Sequence, residues 1–271
     1  MSVNYSMTKE SEKTLRKSFF NFYDHVYISW KKLADTYKRH HDISDLDLEQ
    51  FFKYEDQSNT YEADMLEECI WHISRYSPFA SHLRFIISII YSNSDLERMA
   101  DYVISIARYL NQNKIKEKSI VNVISSVMAK SVETMDKIVS LLRKRENVDE
   151  HWITTYRTTT KYADEFKKYF DDQTRILVKA AFNKNTAEEA KNLITGASMI
   201  LKNMERNVDH ATNLVENFVY IKNADFFKNK RSKQARKIND QISNVATLIE
   251  KGANITPISK KTQKKPKRSK K

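Results

Sequence analysis

Only two glycines, Gly196 and Gly252, and three prolines, Pro78, Pro257 and Pro266, occur in 271 residues. Glycine supplies the tight turns of sheet-rich folds and the close backbone approach that phosphate loops need. A chain this poor in both residues is predicted to be all-helical. Neither G-x-x-x-x-G-K-[ST] nor G-x-G-x-x-G can be written with so few glycines, which excludes those nucleotide-binding loops. Hydrophobic residues make up 40% and charged residues 30%, the balance of a folded chain. Cys69 is the single cysteine, so no internal disulfide can form, in keeping with a reducing cytoplasm. The N-terminal stretch "MSVNYSMTKESEKTLRK" lacks an apolar h-region, and no secretory signal is expected. The longest apolar run, "FIISIIY" at 85–91, falls far short of the roughly 20 residues that span a bilayer.

Long amphipathic segments follow one another along the chain. Helix 1 is expected at about 8–40 and helix 2 at about 45–76, the latter capped by Ser44 and stopped before Pro78. The polar middle of helix 2, "KYEDQSNTYEAD", is a place for a break. Helix 3 runs from after Pro78 to about 111, with "NQNK" as the next turn. Helix 4 covers about 115–145 and helix 5 about 152–182, with "ENVDEHW" between them. "NKNT" separates helix 5 from helix 6 at about 187–227, where Thr186 and Glu189 have capping-box spacing. A last amphipathic stretch at about 231–251 ends at Gly252. The organisation expected is two pseudo-repeated three-helix bundles, residues 1–112 and 113–228, then a C-terminal amphipathic helix over 229–253 and a disordered Lys-rich tail over 254–271.

Helices 3 and 6 carry the same device. In "SDLERMADYVISIARYL" (94–110) Glu97 precedes Asp101 by four residues, and in "KNMERNVDHATNLVENF" (202–218) Glu205 precedes Asp209 by four. Residues i and i+4 share a helix face about 5–6 Å apart. Two ordinary explanations are available: the acids are solvated, or Arg98 and Arg206, which follow each Glu, neutralise them. A metal site is the third. Hard cations take carboxylate oxygens, and bundles gather such acids from facing helices. The pair recurs 108 residues apart, sits mid-helix, and has apolar flanks at Leu96, Met99 and Val103, and at Met204, Val208 and Leu214. A buried acid pair without a cation is costly.

These segments resemble the paired signatures of the PhoU family, the bacterial phosphate-uptake regulators. Upstream, "EECIWHISRYSPFASHLRFI" (67–86) is similar to a family segment with a helix-breaking Pro followed by Ala-Ser-Asp-Leu-Arg. Pro78, Ala80, Ser81, Leu83 and Arg84 match, and His82 replaces the Asp. Ala100 and Val208 stand where family members commonly have Gly before the motif Asp. The resemblance covers roughly residues 10–228. It implies two three-helix bundles carrying metal clusters, with iron and zinc the associated ions. Carried over by motif, Glu97, Asp101, Glu205 and Asp209 are the metal ligands. Glu67 on helix 2 is an added candidate facing Glu97, Asp171 or Asp172 on helix 5 its counterpart, and Asn213 and His210 outer partners of the site. The resemblance further implies a non-enzymatic, cytoplasmic negative regulator of phosphate uptake. Its partners would be the ATPase subunit of a phosphate ABC transporter, a phosphate-sensing histidine kinase and a second copy of the chain.

Two other readings stand beside this one. A ferritin-like di-metal carboxylate enzyme wants Glu-x-x-His pairs on two helices, and none lies beside these motifs. A basic nucleic-acid-binding protein would draw on the tail "KKTQKKPKRSKK", whose eight Lys/Arg supply two thirds of the net charge of +12. That tail has no aromatic residue for stacking on bases, and an anionic membrane surface suits it better. Trp30, Trp71 and Trp152 read as core or bundle-contact residues, His40 and His41 as helix-end cations, and Cys69 as packing.

Overall fold

A computed structural model of the chain describes residues 5–78, 80–143, 152–182 and 187–223. They form six helices: α1 (Tyr5–His40), α2 (Asp45–Tyr76), α3 (Ala80–Gln112), α4 (Lys118–Arg143), α5 (Trp152–Phe182) and α6 (Ala187–Asn223). No strand occurs among the described residues. The connection at 146–151, the Thr186 cap, the 229–253 extension and the 254–271 tail lie outside them.

Local chemistry sets the helix ends. At the end of α1, His41 takes a positive φ of 56° and its N–H bonds back to the Tyr37 carbonyl at 2.8 Å. Ser44 then opens α2 with a complete capping box: its hydroxyl accepts from the Asp47 N–H at 3.1 Å, and the Asp47 carboxylate accepts from the Ser44 N–H at 3.3 Å. The hydroxyl bond from Ser44 holds the Asp47 carboxyl below its ordinary value. Ser77, also left-handed at φ 44°, ends α2 just before Pro78. Across its polar middle α2 continues unbroken, in contrast to the sequence expectation of a break. Ser58 and Thr60 turn their hydroxyls onto the carbonyls of Tyr54 and Asp56 one turn back, which leaves the helical ladder intact. The start of α4 falls at Lys118, about three residues later than its pattern suggests.

Helices α1, α2 and α3 pack on one another, as do α4, α5 and α6; α3 against α6 and α1 against α4 join the two bundles. Leu15, Phe19, Phe22, Val26, Trp30, Leu33 and Tyr37 make one buried stripe along α1, at steps of three or four. Trp30 donates its indole N–H to the Met99 carbonyl on α3 at 2.8 Å. Arg143 of α4 pairs with Asp24 of α1 and lies over the rings of Phe20 and Tyr23, tying the α1 and α4 surfaces. Trp71 is a correction to the sequence reading: it is 53% exposed on the outside of α2, because its neighbour His72, not Trp71, turns inward.

Helices α3 and α6 run antiparallel. As the α3 partner advances through Ser92, Asp95, Tyr102 and Ser105, the α6 partner retreats through Asn217, Asn213, His210 and Asn203. The 108-residue offset of the acid pairs maps Asp95 onto Asn203 and Ser105 onto Asn213. The contacts Asn213 to Asp95 (3.1 Å) and Asn203 to Ser105 (3.3 Å) are therefore the same contact repeated across a pseudo-twofold axis. Tyr102 and His210, equivalent under that offset, meet each other at 3.1 Å.

Further along the pair, Gly196 of α6 meets the side of Tyr109 of α3. A Cβ built on Gly196 would lie 1.4 Å from the Tyr109 hydroxyl and 2.1 Å from its Cζ. Absence of a side chain at 196 therefore makes the room that the Tyr109 ring occupies. The Gly196→Ala variant is expected to lose about 1–3 kcal/mol despite the better helix propensity of alanine. In urea melts, Gly196→Ala combined with Tyr109→Ala should lose less than the two single changes added together; strict additivity would show that the two side chains do not compete for the same space.

Candidate functional site

The first acid pair occupies the middle of α3 on a half-buried surface beside α2. The carboxyls of Glu97 and Asp101 stand close enough on one face of α3 for each to act on the other. Burial, then the Asp101 charge and hydrogen bond, then Glu62 on α2 together push the Glu97 carboxyl up to about 7, against a small opposing effect of Arg98. Glu62 is held beside the pair because its backbone carbonyl accepts from the Asn93 amide of α3 at 2.8 Å. Sequence reasoning put Glu67 in that place. Glu67 is exposed on the outer side of α2, and Glu62 is the α2 acid whose field Glu97 feels.

The second pair differs. Glu205 is hydrogen-bonded to Lys202 one turn earlier, so a cation already stands beside it. Asp209 is half-buried and has partners of its own. Asp171 and Asp172 are exposed on α5, and Asp172 lies 3.6 Å from Arg175. No group of three or more His, Cys, Asp or Glu side chains among the described residues is gathered closely enough to hold an ion. Glu97 and Asp101, all-oxygen and short of positive charge, have donor chemistry that fits a hard divalent cation. Glu205, neutralised by Lys202, fits one less well.

Between the pairs lies a polar cluster that sequence reasoning missed. Asp95, 5% exposed, receives Asn213 on one oxygen (3.1 Å) and Asn217 on the other (3.2 Å), while His210 Nδ1 lies 2.7 Å from the first. Asn217 also reaches the Ser92 hydroxyl at 3.3 Å. His210 and Asn213 are thus partners of Asp95 across the bundle interface. Asp95 stands two residues before Glu97 in "SDLER", within the polar stretch "SNSDLER", where nothing in the local sequence sets it apart from its polar neighbours. Cys69 is buried and its thiol is pushed up to about 12, first by burial and then by Glu68, which leaves it unreactive as a thiolate.

A family model described as the PhoU domain matches residues 38–110, the stretch that holds Glu62, Glu97 and Asp101. The chain belongs to the PhoU family. Among its relatives is an uncharacterised protein of Mycoplasma genitalium, 30% identical over 83% of this chain and 99% of that protein. A Deinococcus radiodurans protein named as a phosphate-specific transport system accessory protein, PhoU homolog, is 28% identical over 66% of this chain and 80% of its own length. In fold, the crystal structure of PhoU from Pseudomonas aeruginosa is similar with a TM-score of 0.59 at 20% identity, covering 80% of this chain and 99% of that one. The all-α, two-bundle expectation agrees with the six helices and with this PhoU neighbour.

Glu97 makes stability depend on pH in a fixed direction. Its folded value of about 7 lies above the ordinary 4.5, so the folded chain binds the extra proton between those values. This contribution is fully present below about 4.5 and is lost as pH rises through about 7. In buffer containing chelator, Glu97→Gln should remove that decline and melt above the parent chain at pH 8. Parallel wild-type and Glu97→Gln melting curves from pH 5 to pH 8 would contradict it.

Proposed function

We propose that the chain is a regulatory accessory protein of phosphate uptake that restrains a phosphate ABC transporter by contact with its cytoplasmic ATPase subunit. The observation that carries this reading is the PhoU-domain match over residues 38–110, supported by relatives named as accessory proteins of phosphate-specific transport systems. Geometry is consistent with action by contact. The described residues form long packed helices, and none is long and apolar enough to cross a membrane. A phosphate-sensing histidine kinase is the second partner this reading admits.

Under the same reading the pair Glu97 and Asp101 would hold a divalent cation, iron or zinc. The ion would supply the positive charge that these carboxylates lack. Glu205 and Asp209 form the weaker counterpart, because Lys202 already serves Glu205.

Two measurements test the proposal. Protein purified without chelator should contain iron or zinc by elemental analysis. Glu97→Gln/Asp101→Asn should lose most of it, and Glu205→Gln/Asp209→Asn should retain the greater part. Equal metal content in all three would exclude the first pair as the binding site. Separately, deletion of the gene should raise phosphate uptake, and the full chain should retain the transporter ATPase in a pull-down. Unchanged uptake with no ATPase retained would refute the regulatory reading.

A further inference from the structure

The charge of α2 is opposite to that of the chain as a whole. Nine Asp/Glu face two Lys/Arg within 45–76, in a protein with 47 Lys/Arg and 35 Asp/Glu overall. On its outward face Leu66 (42% exposed) and Ile70 (53% exposed) stand one turn apart in a row. Asp64, Glu67 and Trp71 form the adjoining row, at helical spacings of three and four. Among the described residues, neither Asp64 nor Glu67 has a basic side chain within ion-pairing distance. Trp71 is 53% exposed and stands edge-on to His72 (5.0 Å, 88°) and to Tyr76 (5.6 Å, 89°). A half-exposed tryptophan beside two large aliphatic side chains is the composition of an interface anchor. The adjoining acids supply a charge to be matched.

We infer that the outer face of α2 docks a basic amphipathic helix of a partner protein, whose apolar stripe covers Leu66, Ile70 and Trp71 and whose Lys or Arg side chains meet Asp64 and Glu67. Helix-on-helix docking suits a straight exposed stripe, with anchors repeating at i, i+4. Anionic lipid and nucleic acid are repelled by the same acids that attract such a helix. The inference stands on this surface alone and does not depend on the phosphate reading.

A designed Lys/Leu amphipathic helix, with its Glu/Leu counterpart as control, probes the surface on the full-length chain. The readout is acrylamide quenching of Trp71. Trp30 is fully buried, and a Trp71→Phe variant assigns the signal. The Lys/Leu peptide should shield Trp71 and blue-shift its emission, with affinity falling as salt rises. Asp64→Lys/Glu67→Lys and Leu66→Asp/Ile70→Asp should each weaken it by about tenfold or more, the loss of roughly one anchor or charge pair. The control Asp164→Lys/Glu165→Lys, at exposed acids of α5, should leave the affinity within about twofold. Equal binding of the Glu/Leu helix, or indifference to both α2 variants, would overturn the inference. So would a Trp71 already shielded without peptide, because the face would then be covered by the chain itself or by a second copy.

Discussion

A buried carboxylate, Asp95, occupies the seam between the two bundles, and the rest of the arrangement depends on its being satisfied. A charge removed from water destabilises the fold by several kcal/mol unless hydrogen bonds and an opposite charge compensate. Here α6 supplies three hydrogen-bonding partners, His210, Asn213 and Asn217. A hydrophobic seam would accept a slide of one helix along the other with modest loss. A carboxylate with three named partners does not, because any shift strands it. This fixes the register of α3 against α6, and with it the position of both acid pairs, which ride on the same two helices.

The repeat is imperfect in an informative way. Under the internal pseudo-symmetry Asp95 corresponds to Asn203, so the contact with the facing hydrogen-bonding side chain survives while the charge occurs once. The acid pairs diverge similarly. Glu97 and Asp101 lie beside another acid, Glu62, whereas Glu205 lies beside Lys202. Duplicated scaffolds commonly keep the packing that both copies need and let the chemistry of each copy drift. Here the packing is near-symmetric and the electrostatics are not.

What was legible in the sequence was what short-range chemistry decides. Glycine poverty gave the all-helical class, Ser44 and Pro78 bounded α2, and the i, i+4 spacing of acids located Glu97 and Asp101. What was not legible depends on how a helix is rotated about its own axis once it packs. The sequence pointed to Glu67 on α2, whereas packing, with the Asn93 amide on the Glu62 carbonyl, brings Glu62 beside Glu97. Trp71 and His72 exchange inside for outside on the same account. Asp95 was overlooked because its partners lie more than a hundred residues away, where no local spacing rule reaches.

The hydrogen bond from Trp30 to the Met99 carbonyl has a mechanical consequence. Met99 stands midway between Glu97 and Asp101, so α1 grips the very turn that spaces the two carboxylates. The indole is rigid and fully enclosed, and it acts as a strut rather than a tether. α1 and the turn of α3 that bears the acids are therefore fastened at this point, and a tilt of α1 would have to break or carry with it the Met99 contact.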